Sequence, residues 1–194
     1  MQQNNQNIIR MRKRLFLLLL AFISLCQMNA VERTKLNFNG GWLLKVGDFQ
    51  GAEQANYKDA GWKQITLPRA FNEKEAFKVS IEQLSDTIMW YRKHFHIQEV
   101  GDRKYFIEFE GVRFGADIWL NGKKVGYTEN GVMASGFDLT PYIIKGENVI
   151  AVRVDNSWSY RERTSGQRFQ WNDKNFNANY GGIPKNVFLH ITDK

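Results

Sequence analysis

A single cysteine, Cys26, and three histidines, His94, His96 and His190, are all that the 194-residue chain offers to a disulfide framework or a soft metal site. One cysteine closes no intrachain disulfide, so any fold here must hold itself together by its core. These side chains do not fall at zinc-ligand spacing. His94 and His96 share a strand face with Arg92, whose charge would repel a cation, so structural or surface roles are expected of both. The motifs of nucleotide binding and nucleophilic catalysis are missing as well: there is no phosphate loop, no G-x-S-x-G elbow and no H-E-x-x-H. Long apolar runs are scarce. The one that exists, Leu15–Leu25, falls short of the about 20 residues that a membrane-spanning helix needs.

That run follows Arg10, Arg12, Lys13 and Arg14, and no acid occurs in residues 1–30. A basic stretch, an apolar stretch and a short polar stretch in this order read as a secretory signal peptide over 1–30, with the folded domain over 31–194. Met28-Asn29-Ala30 places small Ala30 before the cut but bulky Met28 two positions earlier. Leu25 stands where a small residue would precede a lipidated Cys26. A cleaved signal and a periplasmic or extracellular location are expected, with a lipid or membrane anchor as the alternatives.

The signal also explains the charge. Its four cations account for four of the seven net positive charges, leaving +3 on the remainder. Mixed charge at that level makes no case for nucleic acid. The chain is 43% hydrophobic and 14% aromatic, which describes an ordinary globular protein with rings to spare for a β-core or a sugar-stacking surface.

From Leu36 onward, short alternating runs are separated by Gly, Asn and Asp. Met89, Tyr91, Phe95 and Ile97 alternate with Arg92, His94 and His96. Tyr105, Ile107 and Phe109 alternate with Lys104, Glu108 and Glu110. Ile150, Val152 and Val154, and then Val187, Leu189 and Ile191, repeat the period of two expected of half-buried strands. Ala116–Asn121 and Lys123–Thr128 flank Asn121-Gly122, a strong signal for a tight hairpin turn. Only Gly51–Ala60 looks like a helical turn. The pattern predicts an all-β, antiparallel sandwich or barrel.

No residue pair qualifies for acid–base catalysis. Glu108 and Glu110 share one strand face and read as solvated charge, whereas a glycosidase needs two carboxylates roughly 5–9.5 Å apart across a cleft. Trp42, Trp90 and Trp119 lie in or beside strands and are assigned to packing. The segment Asn156–Gly182 differs from the rest: polar, aromatic and long for a loop, which marks functional or disordered loops. Its rings, Asn, Asp and Arg suit the C–H faces and hydroxyls of a sugar. A loop packed on a neighbouring domain would have the same composition.

Several pieces follow one another in order: Phe38-Asn39-Gly40-Gly41-Trp42, Tyr91-Arg92-Lys93-His94-Phe95, Phe109-Glu110-Gly111-Val112, Ile118-Trp119-Leu120-Asn121-Gly122, Phe137-Asp138-Leu139-Thr140-Pro141-Tyr142, Gly146-Glu147-Asn148-Val149-Ile150, and Gly181-Gly182-Ile183-Pro184-Lys185-Asn186-Val187. Over about residues 35–192 the chain resembles the amino-terminal, sugar-binding domain of family 2 glycoside hydrolases, which include β-galactosidases, β-glucuronidases and β-mannosidases. The resemblance implies a jelly-roll β-sandwich of the galactose-binding-domain-like type. It implies carbohydrate as the partner, and downstream immunoglobulin-like and TIM-barrel domains that carry both catalytic glutamates. It places no catalytic residue, metal or cofactor in this chain.

In the β-galactosidase branch, loops of this domain reach the barrel mouth and contact the terminal sugar or a nearby cation. The matching positions here are Trp171, Asp173, Asn175, Asn177 and Asn179, with Asn72 in a second loop. The family usually offers an acid near the turn; this chain has asparagines there, with Asp173 further back, which weakens the transfer of a sugar or sodium contact. Two function classes stay open: a non-catalytic domain of an exported β-galactosidase-like glycosidase, or a free-standing exported module that binds carbohydrate or protein.

Overall fold

The computed structural model divides the chain into Met1–Glu32 and Arg33–Lys194. It describes residues 11, 13, 33–70, 86–131, 133–168 and 181–193. Among these, no helix is long and apolar enough to cross a membrane.

The second unit is built from antiparallel strands. In chain order they are β1 (Arg33–Asn37), β2 (Trp42–Val46), β3 (Lys63–Ile65), β4 (Arg69–Ala70), β5 (Ile88–Ile97), β6 (Arg103–Phe109), β7 (Gly115–Leu120), β8 (Lys123–Thr128), β9 (Ser135–Asp138), β10 (Gly146–Asp155), β11 (Gly182–Ile183) and β12 (Val187–Asp193). A four-stranded sheet runs β1-β12-β6-β9, a six-stranded sheet runs β3-β2-β5-β10-β7-β8, and β4 and β11 form a small ladder of their own.

The period of two read from the sequence decides what meets between the two larger sheets. Tyr105, Ile107, Phe109, Val187 and Leu189 from one face Met89, Tyr91, Ile118, Leu120, Ile150 and Val152 from the other, all buried in one continuous core. The chain is thus an all-β, antiparallel sandwich, as expected. Asn121 and Gly122 both take positive φ, 52° and 78°, which is the hairpin geometry the Asn-Gly pair signals. Asn121 also ties that turn to β10, because its Oδ1 accepts the Val149 amide at 2.9 Å.

One expectation fails on the outer side of the six-stranded sheet. Alternation alone would leave Arg92 facing water with His94 and His96, yet Phe49, Ala52, Tyr57 and Trp62 gather with Trp90 and Trp119 as a second cluster on that face. Arg92 is fully buried beneath this cover. Its Nε donates to Asp59 at 2.8 Å, and its remaining donors reach the carbonyls of Ala52, Gln54 and Ala55. Burial pushes the Asp59 carboxyl up, but hydrogen bonds from Arg92 and His94 outweigh it and hold it below the ordinary range. The covering segment is not a helical turn. Successive i→i+3 bonds, Gln54 to Gly51 at 2.9 Å and Tyr57 to Gln54 at 3.2 Å, make it a run of tight turns.

The tryptophans expected to pack do so: Trp42 is buried in the core, and Trp90 stacks on Trp119 with ring centroids 5.4 Å apart. Glu108, expected to be solvated, is instead paired, accepting from His190 at 2.6 Å and lying 3.3 Å from Lys35. Glu110 accepts from Asn186 at 2.8 Å.

The sandwich has two unlike ends. Arg33 lies opposite Thr192, so the start of β1 and the finish of β12 share one end. There an open groove of about 870 Å³ runs between the sheets over Leu36, Phe95, Ile97, Leu189 and Ile191, with Lys145 at its rim. The long segment after β10 leaves from the other end.

Candidate functional site

One end of each segment singled out in the sequence meets at one place. β4 and β11 pair antiparallel with Gly182 opposite Ala70 and Ile183 opposite Arg69. The chain therefore quits β4 at the point where it enters β11. Trp171, Asp173, Asn175, Asn177, Asn179 and Asn72 themselves lie outside the described residues. What the structure does bring together is the backbone on which both candidate segments are mounted.

That mounting is tied to the core. The buried hydroxyl of Tyr91, on β5, accepts the amide of Ile183 at 3.3 Å and points to the carbonyl of Arg69 at 3.5 Å. Burial pushes its ionisation well upward, so it stays a neutral phenol. Arg113 extends the ladder on the far side, its amide donating to Gly182 at 2.7 Å.

The first part of the long segment is described as far as Arg168, and polar side chains of the sandwich clamp it. The Trp158 amide donates to Asp86 at 2.8 Å. The Tyr160 hydroxyl donates to Glu129 at 2.5 Å, and the amide of Arg163 donates to the same oxygen at 2.8 Å. Arg163 forks onto Asp117 with bonds of 2.9 and 2.6 Å, the bidentate geometry that fixes direction as well as distance. Lys124 reaches the same carboxylate at 2.7 Å. Burial pushes the Asp117 carboxyl up, but the bonds from Arg163 and Lys124 prevail and keep it below the ordinary range.

Tyr160 can lie this close only because β7 opens with a glycine. A Cβ on Gly115 would sit 2.2 Å from the ring carbon Cζ of Tyr160. Phe114 meets the same ring edge-on at 5.5 Å. Sequence reasoning passed over Tyr160, Glu129, Asp117 and Gly115, since their partners lie between 31 and 46 positions away and no local pattern joins them.

Beyond the clamp the segment doubles back as a short hairpin. Glu162 donates to the carbonyl of Gln167 at 2.9 Å, and Gly166 to that of Glu162 at 2.8 Å. Arg161 and Arg168 stand opposite each other across an antiparallel bridge. Among the described residues no set of three or more His, Cys, Asp or Glu side chains is placed to hold a metal ion.

Comparison with known proteins agrees with this architecture. Residues 47–192 match the family model described as "Glycosyl hydrolases family 2, sugar binding domain". A β-glucuronidase of Formosa agariphila is 38% identical over 84% of this chain. A β-galactosidase of Bacteroides ovatus is 33% identical over 64%. The chain spans 17% and 16% of the lengths of these two relatives. The solved structure of a β-glucuronidase from glycoside hydrolase family 2 superposes with a TM-score of 0.72 at 37% identity, over 86% of this chain and 18% of that one. The Bacteroides uniformis β-glucuronidase superposes with a TM-score of 0.70 at 25% identity, over 82% of this chain and 18% of that one. The chain belongs to the sugar-binding domain family of the family 2 glycosyl hydrolases.

Proposed function

We propose that this domain supplies non-catalytic sugar contacts to a family 2 glycosidase that cleaves a β-linked uronide or galactoside, the activities named for its relatives. The observation that carries the reading is the meeting of one end of each candidate segment on the β4–β11 ladder. A ladder tied to the core by Tyr91 holds the bases of both segments in fixed relation, which is what a divided sugar site requires. The chemistry of the segments fits as well, with a tryptophan ring for a sugar face and amides for hydroxyls.

Export belongs to the same proposal, supported by the basic and apolar stretches of residues 1–30. So do a jelly-roll path for the strands, and the immunoglobulin-like and barrel domains as partners. A free-standing module would bind sugar with nothing attached, at the millimolar strength that a few contacts provide, about −4 kcal/mol.

The test is kinetic, in an enzyme that carries this domain together with a catalytic barrel. Trp171→Ala and Asn177→Ala should each lower kcat/KM while leaving thermal stability near that of the parent. Unchanged kinetics in both variants would refute the proposal. Loss of activity in proportion to loss of stability would show a loop that only packs domains together.

A further inference from the structure

Across the antiparallel bridge of the hairpin, Arg161 stands opposite Arg168. Side chains directly opposite in such a bridge lie on the same side, where like charges repel. Arg161 and Arg168 are both exposed. Apart from its reach to the carbonyl of Gly166 at 3.1 Å, Arg161 has no described partner, and no described carboxylate lies within ion-pairing distance of either arginine. The acids nearby are occupied elsewhere: Glu162 accepts from Ser165 at 2.7 Å, Glu129 holds Tyr160 and Arg163, and Asp117 holds Arg163 and Lys124.

The contrast with Arg163 is instructive. Two positions from Arg161, it has a bidentate carboxylate and stacks 4.6 Å from the Tyr127 ring. The fold therefore neutralises the arginine it uses as an anchor, and among the described residues the cross-strand pair meets no carboxylate. Two planar, permanently charged forks carried on one side of a bridge can meet the oxygens of a carboxylate or a sulfate ester, and bound anion would relieve their repulsion.

We propose that Arg161 and Arg168 form an oxyanion-binding pair that recognises the acidic group of a glycan, a uronate carboxylate or a sugar sulfate. The pair stands on the segment that carries Trp171 and the asparagines. The inference rests on the sugar-contact reading and adds to it a preference for acidic over neutral chains.

Binding to the 194-residue chain at low ionic strength decides the matter, with three oligosaccharides of equal length as probes: oligogalacturonate, a sulfated galactan fragment and its neutral counterpart. Inorganic sulfate serves as a fourth. One or both acidic oligosaccharides should bind about ten-fold more tightly than the neutral one, and the advantage should shrink with added salt. Arg161→Gln/Arg168→Gln should abolish the advantage with an unchanged melting temperature. Arg161→Lys/Arg168→Lys should keep part of it, since charge remains but the forks are lost.

Equal binding of acidic and neutral probes would overturn the oxyanion pair while leaving sugar recognition standing. Inorganic sulfate binding as tightly as the sulfated fragment, with neutral chains ignored, would overturn the sugar-borne ligand. A preference that survives the glutamine variant would place the determinant elsewhere and also refute the proposal. Binding of none of the probes overturns the oxyanion pair, while the sugar-contact reading keeps its own kinetic test.

Discussion

The phenol of Tyr91 and the amide of Ile183 are 3.3 Å apart across a separation of 92 positions, and this bond fastens the two-residue strand β11 to the centre of the larger sheet. A ladder of two residue pairs has almost no stability of its own, so the tyrosine supplies what the strand length cannot.

Tyr91→Phe removes that acceptor and leaves the packing volume intact. The Ile183 amide loses its partner in a buried position. Stability should fall by about 1 kcal/mol in urea unfolding. Hydrogen exchange should speed up at Ile183 and Gly182 more than in β5 or β10. Uniform acceleration throughout the sandwich would count against a local fastening.

A methyl group at Gly115 must displace the ring of Tyr160, and with it the bond to Glu129. Gly115→Ala should cost about 1–3 kcal/mol, the range of overpacked sites. Tyr160→Ala should cost less when made in that background than when made alone, because the clash has gone. A double-mutant cycle reads this coupling directly, and additive losses would contradict the close approach.

Acid should loosen the clamp. Asp117 titrates below its ordinary value in the folded chain, so its contribution is complete above the usual carboxylate range of about 4. It is lost as pH falls through the folded value. Asp117→Asn should therefore be less stable than the parent near neutrality and show a flatter decline below about pH 4. Asp48, Asp59 and Glu108 are shifted in the same direction, so part of the decline should persist in the variant.

Arg92→Met tests the cover on the outer face. It strips the donors from Asp59 and from the carbonyls of Ala52, Gln54 and Ala55 together. Breaking a buried, hydrogen-bonded pair on one side costs about 3 kcal/mol. The variant should also expose Trp90 and Trp119 to a fluorescence quencher. A loss confined to a few tenths of a kcal/mol would show that the turns are held by Phe49, Tyr57 and Trp62 alone.

The long strands were legible because burial on one face writes a period of two into the chain, and Asn121-Gly122 was legible because few residue pairs tolerate two positive φ values. Arg92 was misplaced by the same rule. Alternation tells which residues share a face, and it is silent on whether a distant run of turns will cover that face. β4 and β11, with two residues each, carry no period at all; they exist because Tyr91, Arg113 and their own pairing satisfy their backbone. The candidate segment stood out by composition, as an aromatic and amide-rich loop. Its anchoring was not, since Asp117–Arg163 and Glu129–Tyr160 are pairings of ordinary residues that only the closed fold brings together.

The placement of both ends of the sandwich on adjacent, antiparallel strands has a mechanical side. Arg33 faces Thr192, and the five residues of β1 are all exposed. Tension applied between the two ends loads the hydrogen bonds of the β1–β12 ladder one after another, as in opening a zipper, where strands drawn lengthwise past each other would resist with every bond at once. β1 is thus built to peel first and at low force. The β4–β11 ladder, fastened to the larger sheet through Tyr91, stays outside the line of pull.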